Sequence, residues 1–151
     1  MAAVPGLRSC WDTVGGLFYF GRMLDKIRLH AEGRLPDEYM EQKGDGFDGR
    51  TCRYLHVDYE ALGARVLEGG SDEDVLEWCY QEGRRLTDEE ILIYNSFMSK
   101  RGWRDDETDD YIPSQRRAYG VEGDERIVTD FDLIEADEDR PVDVWRHAWD
   151  L

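Results

Sequence analysis

The 151-residue chain is predicted to be all-α, a single compact multi-helix domain of about six to eight helices packed around a long first helix. Three observations carry that prediction. The stretch DTVGGLFYFGRMLDKIRLHAEG, Asp12 to Gly33, places Leu17, Phe20, Leu24, Ile27 and Ala31 on one side of a helix, the spacing of a buried stripe. Ser71 with Asp74, and Thr87 with Glu90, form capping boxes that satisfy the orphan N–H groups of a helix start. Short links join successive helices, which favours antiparallel neighbours, and no strand-like run of comparable strength competes.

Taken in order, the residues before Cys10 form a short arm, and Asp12 or Thr13 caps the first helix. Gly15 and Gly16 weaken its first turn by roughly 1 kcal/mol each, so a close backbone approach is expected at that end. Pro36 and the glycines at 44, 46 and 49 mark the longest loop. Asp45 and Asp48 fall in it without the ligand alternation of a calcium loop, so turn chemistry accounts for both. A short helix broken near Val57 follows, then one capped by Asp58 and stopped by Gly69 and Gly70, with Leu62 and Val66 inward. The helix opened by Ser71 turns Val75, Leu76, Cys79 and Tyr80 to the core and stops at Gly83. The one opened by Thr87 uses Ile91, Tyr94 or Asn95, and Met98, and closes at Gly102.

Beyond Gly102, WRDDETDD reads as a loop and YIPSQRRAYG as a short helix with Pro113 near its start. Asp124 caps a helix whose stripe is Ile127, Phe131 and Ile134. Its acidic end, Glu135 to Asp139, has the wrong sign for a helix C-terminus and reads as a solvated end, with metal or a basic partner as the sharper alternative.

Nineteen Lys and Arg against 35 Asp and Glu give a net charge of −16, which repels phosphate backbones and anionic headgroups, so nucleic-acid and membrane-surface binding are excluded as leading functions. No window approaches the roughly 18 apolar residues of a membrane span, and the amino terminus has no apolar run of signal-peptide length. Three cysteines without regular spacing fit free thiols in a reducing compartment, and a cytoplasmic location is expected.

On the border of the first helix's stripe, Gly21, Asp25 and Arg28 recur at i, i+4, i+7, leaving room beside a carboxylate and a guanidinium. A charge beside a core face must be paired or solvated. The spacing therefore reads either as an internal Asp25–Arg28 ion pair that fixes a neighbouring helix, or as a polar notch that receives a ligand. Arg22 and Lys26 join that candidate notch, and Trp103 with Arg104, just past the Gly102 stop, can line it.

The residues GGLFYFGRMLDKIR, followed by DYEAL and SDEDVLEW, resemble a family of small bacterial proteins known as domain of unknown function 5069, from about Leu7 to about Glu138. Gly15, Gly16, Arg22, Leu24, Asp25, Lys26 and Arg28 carry the most specific part of the resemblance. It implies neither an activity nor a fold.

Cys52 and His56 share a helix face at i, i+4, but without a CxxC or HxxxH companion no metal is expected, and no cofactor either. The residues favour a noncatalytic helical domain that binds a protein or small ligand at the notch. The alternative is a small enzyme with Asp25 as acid or base and Arg28, helped by Arg22 or Lys26, holding an anionic substrate. Residues 1–140 form the domain, and 141–151 form a docking segment in which Val142, Trp145 and Trp149 share one side of a short helix. Packing on the chain's own domain, hence a monomer, is favoured over a homodimer through that segment.

Overall fold

The computed structural model describes residues 2–150, and among these the chain is mostly helical. A two-stranded antiparallel hairpin, β1 (Thr13–Val14) and β2 (Leu17–Phe18), precedes α1 (Phe20–Ala31). A single 3-10 turn at Asp37–Tyr39 leads to α2 (Gly46–Leu55), α3 (Tyr59–Leu67), α4 (Asp72–Glu82) and α5 (Asp88–Lys100). Then come α6 (Tyr111–Ala118), α7 (Asp130–Asp137) and the one-turn α8 (Trp145–Ala148).

The helix expected from Asp12 to Gly33 is shorter, and its first third is the hairpin. Gly15 and Gly16, at φ 57° and 82°, supply the two left-handed residues of a tight two-residue turn, a conformation no helix accommodates. α1 is therefore 12 residues long and α5, at 13, is longer. α1 nevertheless runs through the interior, since every residue from Phe20 to Ile27 is buried. Ala31, assigned to the stripe, is exposed, while Leu29 is buried with Leu7 and Leu35 in a satellite cluster.

A two-stranded ribbon inside a helical domain leaves its outer edge unpaired, and α5 supplies the missing partners. Asn95 Oδ1 accepts from the Phe18 N–H at 2.9 Å while its Nδ2 donates to the Gly16 carbonyl at 2.8 Å. The Tyr94 hydroxyl donates to the Phe18 carbonyl at 2.9 Å. Both residues are buried because both belong to this junction. Trp11, Phe18 and Phe131 then meet edge to face, joining the arm, β2 and α7 into the main core.

The caps at Asp58, Ser71 and Thr87 stand where the sequence puts them, the last two as full capping boxes. Three starts differ: α1 follows Tyr19 and is not capped by Asp12 or Thr13, and two further boundaries move. α7 is capped not by Asp124 but by Thr129, which forms a capping box with Asp132. α2 begins at Gly46, inside the expected loop, so Asp48 lies on a helix and not in a turn.

Candidate functional site: a cleft beside the first helix

The two faces of α1 do different work. On one, the Arg8 side chain lies across Gly21, where an added Cβ would come within 2.7 Å of the guanidinium carbon. Arg8 binds Asp25 in bidentate fashion, Nε to Oδ2 at 2.9 Å and Nη2 to Oδ1 at 3.0 Å, and reaches Asp72 at 2.8 Å. Arg28 bonds Asp72 at 2.7 Å, and its separation from Asp25 is 3.8 Å. Burial pushes the Asp72 carboxyl up, but hydrogen bonds from Arg8 and Arg28 outweigh it and hold the group below its ordinary range. Gly21, Asp25 and Arg28 thus form one network that ties the arm and α4 to α1, with Arg8 as its centre.

Arg22 and Lys26 point the other way, into a cleft of about 650 Å³ walled by α1, the 3-10 turn, α2, α6 and α7. Trp103 and Arg104 stack on each other, 4.8 Å from guanidinium to ring, and neither lines this cleft. The candidate residues are therefore not gathered in one place.

Two buried ionic clusters form the cleft's floor. Lys26 Nζ lies 2.8 Å from Asp48 Oδ2 and donates to the Tyr19 hydroxyl at 3.1 Å. Tyr19 in turn donates to Asp48 Oδ1 at 2.7 Å. Burial lowers the lysine and raises the tyrosine, while Asp48 pulls the lysine back up. Tyr19 holds φ 71°, a left-handed conformation rare for an aromatic residue and worth about 1–3 kcal/mol of strain. Its N–H bonds the Cys10 carbonyl at 2.9 Å and its ring packs on Phe47, so the surroundings fix the geometry.

In the second cluster, Arg22 clamps Glu138 through Nη1 at 2.9 Å and Nη2 at 2.6 Å, and the Tyr39 hydroxyl donates to the same carboxylate at 2.9 Å. Burial alone pushes Glu138 up; the Arg22 bonds and charge outweigh it and hold the carboxyl below its usual range. Glu135, one turn earlier, accepts the Cys10 N–H at 3.0 Å. Glu135 and Glu138 are each only 1% exposed, so the acidic run expected to be solvated is in part a buried anchor. Its wrong sign for a helix end is offset by Arg22 and by the arm's backbone.

A third group sits where α5 ends and α7 begins. Arg101 Nη2 binds Glu107 Oε1 at 2.9 Å, and the Asp130 N–H donates to the Arg101 carbonyl at 2.9 Å. Burial, then the neighbouring Glu107 carboxylate, pushes Asp130 up to about 8. Asp130 has no signal of its own in the sequence, where it falls inside the helix expected after Asp124, and its neighbour Glu107 is 23 residues away.

The cysteines are free and buried, and burial pushes the Cys52 and Cys79 thiols up to about 12. His56 is the exposed left-handed C-cap of α2. Among the described residues, no three His, Cys, Asp or Glu side chains are grouped to hold a metal ion.

Fold and site together define a small helical domain with a cleft floored by paired buried charges. The chain matches the domain of unknown function family DUF5069 over residues 4–140 and belongs to that family. No curated protein matches it. Among the described residues no helix is long and apolar enough to cross a membrane.

Proposed function

We propose that the protein is a noncatalytic binding domain for a small molecule, which enters the cleft beside α1. The observation that carries this reading is the floor: a 650 Å³ concavity whose polar groups are fixed by the Lys26–Asp48–Tyr19 and Arg22–Glu138–Tyr39 clusters. Ligand sites are concave, with an apolar lining and a few oriented polar groups, and Phe47, Leu133 and Ile134 supply the apolar part. The ordinary nucleophiles are unsuited to chemistry, since burial raises the thiols and Tyr19 while Lys26 is bound to Asp48. Asp25, the acid or base of the enzyme reading, is committed to Arg8; Asp130, in the cleft, is the group that reading would now use. Free buried cysteines and the net charge of −16 support a cytoplasmic protein that avoids nucleic acid.

The test is a two-dimensional amide NMR screen of a diverse small-molecule library against the whole chain. Hits are expected to move the signals of Lys26, Asp45 to Arg53 and Asp130 to Glu138 together. A screen in which the hits move other surfaces and leave these signals still would sink the proposal.

A further inference from the structure

The cleft also indicates the chemistry of its ligand, and this inference rests on the binding reading above. Among the described residues five cations line the cleft, of which Arg22, Lys26 and Arg101 are paired with carboxylates. Arg50 and Arg53 on α2 are different: both are exposed, and among the described residues no carboxylate lies within 4 Å of either guanidinium. Arg50 is held over the Phe97 ring at 4.7 Å, which orients its guanidinium without neutralising it.

On another wall, Glu107 Oε2 is buried and has no hydrogen-bond partner among the described residues while its other oxygen is bound by Arg101. Two neighbouring carboxyl groups in a shielded site share a proton, and a proton on Asp130 supplies the donor that Glu107 lacks. The groups facing the pair are Arg101 and Asp105 from the α5–α6 connection and Tyr111 and Tyr119 from α6, with Asp137 further along α7. A protonated carboxyl both donates and accepts, which suits a hydroxyl group.

We propose that the cleft binds a hydroxylated organic carboxylate, with its carboxylate on Arg50 and Arg53 and its hydroxyl on the Asp130–Glu107 pair. A monoanion fits better than a phosphate dianion, because five cations face six carboxylates in the cleft and the whole chain carries −16. Tyr39, Phe47, Tyr111 and Tyr119 offer flat faces for the body of such a molecule, so an aromatic hydroxy acid is the natural probe.

The experiment titrates the full chain with 4-hydroxybenzoate, its neutral amide and phenyl phosphate, followed by NMR and calorimetry. The carboxylate is expected to move the cleft signals and to bind about tenfold more tightly than either comparison compound. Replacing both arginines, Arg50→Gln with Arg53→Gln, removes that preference while the melting temperature stays put. Raising the pH from about 6.5 to about 9 weakens carboxylate binding as the acid pair loses its proton and repels the ligand, and Asp130→Asn abolishes that pH dependence. Equal or tighter binding of the amide within the cleft overturns the carboxylate assignment and leaves the small-molecule reading standing. Preference for phenyl phosphate replaces it with a phosphate site. If none of the three moves the cleft signals, the ligand class is refuted, and the library screen decides the binding reading separately.

Discussion

Lys26 and Asp48 set the cost of disturbing the cleft floor at the residue scale. Their side chains are 5% and 0% exposed, so removing one partner strands a charge away from water. Asp48→Ala is expected to cost about 3–5 kcal/mol of folding free energy in urea titrations, and Lys26→Met in the same chain is expected to recover a large part of it. Simple additivity of the two losses would refute the coupling. Asp130 and Glu138 respond to pH in opposite directions. The folded Asp130 carboxyl lies above its ordinary value, so its contribution is fully present below the carboxylate range and is lost as pH rises toward about 8. Glu138 lies below its ordinary value, so its contribution is present above the carboxylate range and fades as pH falls through its lowered folded value. Asp130→Asn should therefore gain stability relative to the parent as the pH rises from about 4 to about 8, and hold that gain above it, as read from thermal melts in matched buffers. A constant difference across that window would mean that Asp130 is ionised throughout.

Individual elements depend on backbone conformations that side chains cannot replace. Gly15 sits in the hairpin turn at φ 57°, where a Cβ would lie 2.4 Å from Leu76 Cδ2, whereas at Gly16 the nearest atom is 3.8 Å away. Gly15→Ala is expected to lower stability by a margin clearly larger than Gly16→Ala, since it adds a clash to the strain that both share. Equal melting temperatures for the two variants would show that the turn relaxes freely. Gly83 is more restrictive, because its Cβ would fall 1.9 Å from the Leu55 carbonyl oxygen, where the end of α4 crosses the end of α2. At the Thr87 box, loss of the side-chain cap in Thr87→Ala should cost about 1 kcal/mol, a modest fall in melting temperature against which the glycine variants can be ranked.

Closure of the whole molecule involves its carboxyl-terminal segment, which begins where the family match ends at residue 140. Trp149 meets the Phe18 ring edge to face at 5.1 Å, and the Lys100 ammonium sits 4.7 Å over its ring. Trp145, expected on the same buried side, is 45% exposed, whereas Trp149, the residue after the single turn of α8, is half-buried. We predict that Trp149→Ala lowers the melting temperature at every protein concentration while Trp145→Ala leaves it nearly unchanged. A loss that appears only on dilution would point instead to a second copy of the chain as the segment's partner.

By itself, the sequence determined what depends on neighbours along the chain. Capping boxes at Ser71 and Thr87, the Asp58 cap and the stop at Gly83 are interactions over three or four residues, and they were legible as written. The periodicity of Phe20, Leu24 and Ile27 likewise placed α1 in the core. Tertiary structure alone decided what depends on distant partners. Gly15–Gly16 became a hairpin because Asn95 and Tyr94, nearly 80 residues on, satisfy its edge. Asp25 took Arg8 in preference to Arg28, and Glu138 became a buried ligand of Arg22 from 116 residues away. A charge reads as solvated when its neighbours in sequence are polar; whether it is solvated depends on which charge the fold brings against it, and that partner has no local signature.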